Sequence, residues 1–316
     1  MCIRDSGDYY RADKGDLRII VRQDAPIKGK VAIATGGGSG HLPVFMGYVG
    51  KGLADGACIG NVFSSPSAGQ MKRVTKAIDG GAGVLYLYGR YQGDMMNFNS
   101  AAEESIKNGI RVESVIVSDD VASAPPERHS ERRGVAGIFF AYKIAGAMAN
   151  EMASLDEVKR VTQKAVDNTR SLGIALGPCT IPLVGKPNFE ISDDEMEIGM
   201  GIHGEQGVER VKMRTADEIA ATLVDRVVND MPFVAGDEVA VLVNSLGATP
   251  LEELYVLYRK IDELLREKGL VLHRPYVGRY ACSMEMQGMS LSLMKLDDEL
   301  KRLLDAPADS PFFKQF

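Results

Sequence analysis

Tryptophan is absent from these 316 residues, and histidine and cysteine occur only four times each. Cys2, Cys58, Cys179 and Cys282 are scattered, with no C-x-x-C pair. That excludes a disulfide framework and a cysteine zinc site, and it fits free thiols in a reducing cytoplasm. Positive charge is also in short supply. With 37 Lys+Arg against 43 Asp+Glu, the net charge is -6 and the pI near 5.4. A nucleic-acid protein usually shows a basic footprint, so that class is not expected. No run of 18 apolar residues occurs, which predicts no membrane span. Internal repeats and low-complexity segments are missing too. The opening MCIRDSGD has neither the apolar core of a signal peptide nor a helical period, so it is set aside from fold reasoning.

What is present is ordinary globular material, 45% hydrophobic and 25% charged, long enough for two domains. VAIAT (31–35), VLYLY (84–88) and VESVIV (112–117) read as strands. Helices are predicted between them. Ser65-Pro66 offers an N-cap before a proline at the first helical position, with Met71, Val74 and Ile78 at helical spacing and Gly80-Gly81 as the stop. A second helix is predicted from Asp94 to Asn108. Residues 134–152 are apolar nearly all round, the mark of a buried helix. Ser154 and Glu157 form a capping-box pattern that opens a helix to about Arg170. Residues 171–190 are rich in Gly and Pro without a period, and the domain boundary is placed there. Beyond it, Thr215/Glu218 and Thr249-Pro250/Glu252 open two helices around the strand EVAVLV (238–243). LVLHRP and SLSLMKL read as strands, and a last helix closes near Leu304. The expectation is α/β throughout: two α/β domains, 1–172 and 173–316, each a mostly parallel or mixed sheet flanked by helices.

Three stretches carry chemistry. TGGGSGHLPVF (35–45) follows a strand, as a phosphate loop would. Such a loop needs G-x-x-x-x-G-K-[ST], yet His41 stands near the lysine position and no Ser/Thr follows. Two readings stay open: a tight turn capped by its histidine, or a backbone closing on a small ligand. Tyr91-Gln92-Gly93-Asp94 lies just past VLYLY. Asp94 reads as a helix N-cap or as a group at the carboxyl end of a strand, where α/β sheets hold ligands. In Glu197-Ile-Gly-Met-Gly-Ile-His203-Gly-Glu205, a histidine sits among glycines that no helix requires. Asp193, Asp194, Glu195 and Glu197 lie nearby but lack metal-ligand spacing, and such a run reads as a solvated face. His129, in PPERHSERR, reads as surface. His273 reads as structural, at a strand end.

Taken together, GGGSGH, Y-x-GD-x-x-NF and GIHGE resemble the substrate-binding subunit of dihydroxyacetone kinase. GYVGKG (47–52), RRGVAG (132–137), LVNSLGATPLEELY (242–255) and the C-terminal DAP extend the likeness from about residue 14 onward. The resemblance implies a small-ketose kinase subunit in which His203 bonds covalently to the ketone carbon as a hemiaminal. His41 matches the general base or acid at the terminal hydroxyl, Asp94 the carboxylate that hydrogen-bonds it, and Gly38, Ser39 and Gly40 the backbone closing over the substrate. It implies no cofactor or metal in this chain. Mg-ATP (or ADP) would sit on a separate helical ATP-binding subunit, this chain would form a homodimer, and neither nucleic acid nor membrane is a partner. A non-catalytic ketose-binding regulatory paralogue is the alternative; it would need His203 but not the hydroxyl-activating pair. Two departures bear on specificity. Leu42 replaces the family's usual glutamate, and Gly89, followed by Arg90, stands where many members carry lysine. The GHLPVF form resembles an erythrulose branch, for which the smaller Gly89 would leave room.

Overall fold

The computed structural model describes residues 6–316. Much of the MCIRDSGD opening, with Cys2, therefore lies outside the described residues.

The elements run in order as β1 (Tyr10–Asp13), β2 (Asp16–Arg22), β3 (Ala32–Ser39), β4 (Gly56–Val62), α1 (Ala68–Ile78), β5 (Val84–Gly89), α2 (Gln92–Lys107), β6 (Val112–Val117), α3 (Ile138–Asn150) and α4 (Leu155–Asp167). They continue as β7 (Thr169–Ala175), a short hairpin of β8 (Thr180–Ile181) and β9 (Lys186–Pro187), β10 (Glu195–Ile198), β11 (Glu209–Lys212), α5 (Ala216–Asp230), β12 (Glu238–Ser245), α6 (Leu251–Glu267), β13 (Val271–Gly278), β14 (Gly288–Leu296) and α7 (Asp298–Asp305).

Strand alternation explains how these elements layer. In β5, Val84, Tyr86 and Tyr88 face Met71, Val74 and Ile78 of α1 and Phe98 of α2, while Leu85 and Leu87 face the opposite way. In β12, Val239, Val241 and Val243 pack under α5 and α6, while Ala240 and Leu242 turn to the other side. Those two inward faces meet a shared helical layer of α3, α4 and α7. This is why α3 is apolar all round: it is buried from Ile138 through Ala147. The first six-stranded sheet has the order β1-β2-β4-β3-β5-β6, with β4, β3, β5 and β6 parallel. The second has the order β11-β10-β7-β14-β12-β13, antiparallel except for β12 and β13. The fold is mixed α/β with two helix-flanked sheets. No helix among the described residues is long and apolar enough to cross a membrane.

Several local expectations shift. The boundary expected at 172/173 falls inside β7, all of which belongs to the second sheet. Helix α1 is capped by Ser67, not Ser65, because Gln70 completes a reciprocal capping box with Ser67. Thr249 does not cap α6. Its hydroxyl donates to the Gly288 carbonyl at 2.7 Å and accepts from the Gly288 amide at 2.9 Å, tying the helix entry to β14. His273 lies within β13, bonded to Asp305 at 2.8 Å. His129 is exposed, as read.

The glycine run also differs from the loop expected. Gly36, Gly37 and Gly38 continue strand β3. A Cβ on Gly36 would stand 2.5 Å from the Cys58 carbonyl oxygen, and one on Gly38 would stand 2.6 Å from the Ser64 amide. The glycines there serve close strand packing rather than a turn. We therefore predict that Gly36→Ala costs roughly 1–3 kcal/mol by overpacking. Gly81→Ala, at a positive φ but in open space, should cost only about 1 kcal/mol. Urea unfolding of the two variants checks this; equal midpoints would contradict the packing role.

Candidate active site

The two sheets meet at one small cavity. It is lined by Gly38, His41, Val44, Phe45, Gly89, Tyr91, Asp94, Gly134, Val135, Ile138, Ile202 and His203. The three parallel strands β3, β5 and β6 deliver their following segments to it, in keeping with ligand placement at strand carboxyl ends. The second sheet contributes the turn after β10.

His41 follows β3 and is almost wholly buried. Its Nδ1 donates to the Cys282 carbonyl at 2.9 Å, while Nε2 is buried with no partner. That arrangement leaves a bare ring nitrogen in the site. Burial, with the neighbouring His203 adding to it, pushes the ring down to about 3, so it is neutral at ordinary pH. Two backbone bonds fix the segment to the second half of the chain: Met284 N to the Gly40 carbonyl at 2.7 Å, and Cys282 N to the His41 carbonyl at 3.4 Å.

Asp94 is not the helix cap. The N-cap of α2 is Tyr91, and Asp94 sits in the first turn, with Oδ1 buried and unpartnered. Burial pushes its carboxyl up to about 6, against the opposing pull of Ser65 and His203.

His203 sits in a tight turn closed by Gly204 N donating to the Gly201 carbonyl at 3.1 Å. Its Nδ1 meets Glu205 Oε1 at 2.8 Å, and its amide donates to Oε2 of the same carboxylate at 2.9 Å. Burial works to raise Glu205, but the His203 bonds outweigh it and hold the carboxyl at about 2. A charged acceptor on Nδ1 puts the ring proton there and turns Nε2 into a free lone pair. Around the ring stand His41 (centroids 4.6 Å apart), Tyr91 (4.6 Å) and Phe63 (5.3 Å), all near perpendicular. Asn188 donates to the His203 carbonyl at 3.1 Å.

His203, His41 and Asp94 thus converge, and of the glycine run only Gly38 lines the cavity with them. Ser39 pairs with Val62 in the sheet, and Gly40 turns away at φ 107°. Of the specificity candidates, Gly89 is in the wall; Arg90 lies next to it outside the lining, and Leu42 is 38% exposed. The acids near His203 are engaged elsewhere: Glu197 accepts from Gly207 N and Arg210, and Asp194 pairs with Lys212. Sequence reasoning assigned no role to Glu205, Tyr91, Phe63 or the Cys282 carbonyl. Glu205 and Tyr91 were within reach, standing two and three residues from His203 and Asp94.

One consequence concerns stability. Between about pH 4 and 6 the folded Asp94 holds its proton while the unfolded chain has lost it, so stability falls as pH rises and the full penalty stands above pH 6. Asp94→Asn should raise stability at pH 7.5 by on the order of 2–3 kcal/mol, with little change at pH 3.5. Thermal melts at both pH values check this; a destabilised variant at pH 7.5 would contradict it.

Known proteins resemble this chain along nearly its whole length. The Dak1 domain model matches residues 3–312. The chain is 47% identical over 308 residues to the dihydroxyacetone-binding subunit DhaK of PTS-dependent dihydroxyacetone kinase 2 from Listeria innocua, covering 98% of this chain and 92% of that protein. It is 46% identical to D-erythrulose kinase from Mycolicibacterium smegmatis, covering 94% of this chain but 51% of that protein. Among solved structures, the dihydroxyacetone kinase operon co-activator Dha-DhaQ superposes with a TM-score of 0.92 at 30% identity, covering 99% of this chain and 96% of that one. Matched over nearly its whole length, the chain belongs to the Dak1 family of dihydroxyacetone-binding kinase subunits.

Proposed function

We propose that this chain is the substrate-binding subunit of a small-ketose kinase. It would hold dihydroxyacetone or erythrulose as a hemiaminal on His203 and present the terminal hydroxyl for phosphorylation by a separate ATP-binding subunit. The observation that carries the reading is the pair of buried, unpartnered acceptors, His41 Nε2 and Asp94 Oδ1, in the wall of the cavity that also holds His203. Buried acceptors without donors are costly, and a hydroxylated ligand supplies the donors.

In the proposed step, the His203 Nε2 lone pair bonds to the ketone carbon and the carbonyl π electrons move onto its oxygen. Glu205 takes the Nδ1 proton, and that one proton is returned, through solvent, to the new alkoxide, so Glu205 ends as the carboxylate it began as. The adduct therefore has the composition of imidazole plus ketone. Glycerol has no carbonyl and cannot make this bond, which selects between molecules of nearly equal size. The neutral His41 would then take the terminal hydroxyl proton while ionised Asp94 orients that hydroxyl; its oxygen would displace the nucleotide leaving group, whose bond to the transferred phosphorus breaks as the new bond forms.

The nucleotide is assigned to the partner. Gly36–Ser39 is strand, with no lysine to meet the outer phosphates, so this segment does not have the form of a phosphate loop. The erythrulose kinase, about half of which this chain spans, is consistent with a donor domain carried elsewhere. Homodimerisation, implied by the resemblance, remains part of the proposal. Both ketoses fit the reading; the room expected at Gly89 is not open, because a Cβ there would stand 3.2 Å from the Gly134 carbonyl oxygen and from the Tyr91 ring.

The likeness to a co-activator supports a second reading, a ketose sensor that transfers nothing. The expected results separate the two. Intact mass should show a ketose adduct on wild type and on His41→Ala, but none on His203→Ala. With a purified ATP-binding kinase subunit, wild type should form ketose phosphate, and His41→Ala should lose at least about 100-fold of that rate. A wild-type adduct without turnover on any such partner would favour the sensor. Absence of the wild-type adduct would overturn the nucleophile assignment.

A further inference from the structure

The reading of His203 leaves unexplained a charged pair buried behind it. Arg133, from the RRGVAG segment, donates Nε to Asp120 Oδ2 at 2.8 Å and Nη2 to the Gly199 carbonyl at 3.0 Å. Its amide donates to Ser123 Oγ at 3.0 Å, and its carbonyl accepts from the Asp120 amide at 3.1 Å. Asp120 is 2% exposed and Arg133 17% at the side chain, so the pair is withdrawn from water. The arginine is thus locked on the first half of the chain and reaches across to the turn that carries His203.

Its third nitrogen, Nη1, lies near Glu205, beyond direct ion-pair contact. A Cβ on Gly201 would collide with Glu205 Oε2 and stand 2.6 Å from Arg133 Nη1. The guanidinium and the carboxylate therefore face each other across the space left by the missing Gly201 side chain. A brace for the turn would need only the Gly199 bond. The additional approach to Glu205 places a fixed positive charge behind the acceptor of the His203 Nδ1 proton. A cation there favours the ionised carboxylate and disfavours a second proton on the histidine–glutamate pair.

We propose that Arg133, held by Asp120, is a positioning residue: its charge keeps Glu205 ionised against His203 and so keeps the bare Nε2 facing the cavity. The charged and titratable groups around the ring are Glu205 and Arg133 on one side, His41 and Tyr91 on its faces, and Asp94 across the cavity. Asp119 and Asp120 lie behind Arg133. His41 stays neutral over the working range, and burial raises both Asp94 and Asp120 to about 6 or above their usual range. The readout must therefore be specific to His203.

The four histidines make that possible. The full chain, labelled with ¹⁵N-histidine and free of ketose, is titrated from pH 5 to 9, with the His203 signals assigned by their loss in His203→Ala. Wild type should show the Nδ1–H tautomer. Arg133→Gln should raise the His203 midpoint by about half to one pH unit and mix the tautomers. Arg133→Lys, which keeps the charge, should return close to the wild-type midpoint. An Arg133→Gln protein with wild-type tautomer and midpoint overturns the proposal. So does an Arg133→Lys midpoint equal to that of Arg133→Gln, which would make the Gly199 brace the cause. If Arg133→Gln does not fold, Arg133→Met, which fills similar space without charge, replaces it: mixed His203 tautomers support the proposal, and an unchanged tautomer overturns it. The inference rests on the nucleophile reading for its meaning only. The expected titration together with no ketose adduct on wild type would sink the functional reading and leave this one standing.

Discussion

The bond between Glu205 and His203 Nδ1, 2.8 Å long, is the contact on which the site depends. An imidazole has two nitrogens, and only the one without a proton can attack a carbonyl. A carboxylate on Nδ1 decides the matter, and the same carboxylate also takes the His203 amide, so ring and backbone are fixed together. His41 is oriented by the same logic with a different partner, a backbone carbonyl. Two histidines side by side thus each turn a bare nitrogen to the site, one placed as nucleophile and the other as base in the proposed reaction. Burial keeps His41 neutral and so avoids placing two positive rings 4.6 Å apart.

This arrangement requires both sheets. His41 and Asp94 come from the first, His203 from the second, and the buried helix α3 with α4 and α7 fills the space between. The site also depends on glycine. Gly36 and Gly38 let β3 approach its neighbours, and Gly201 leaves space that Glu205 and Arg133 flank. Two buried, unpartnered acceptors in a largely apolar wall are costly for folding, and the surrounding apolar layers make them tolerable.

Much of this was legible in the chain. Short apolar runs such as VLYLY and EVAVLV, and the reciprocal capping box at Thr215, are local signals that tertiary contacts reinforced. The glycine run was legible as a place of close approach but not as strand, because its partners at Cys58 and Ser64 lie far along the chain. Ser65 was read as the cap because Pro66 follows it, and the Gln70 side chain, which closes the box on Ser67, overrides that local signal. Asp94 has the composition of a cap, and only burial shows that it makes no cap bond. The partner of His41 could not be read at all: it is a main-chain carbonyl 241 residues away. Residue type signals side-chain chemistry, while a backbone group is the same at every position.

The central claim is a covalent bond at a carbon that is planar in the free ketose. Carbon NMR of dihydroxyacetone labelled with ¹³C at its carbonyl tests it most directly. With the wild-type chain in excess at neutral pH, the account predicts that the ketone resonance gives way to one in the tetrahedral region, coupled to the ring nitrogen of a ¹⁵N-histidine-labelled sample. A bound ketose that keeps its ketone resonance would contradict it.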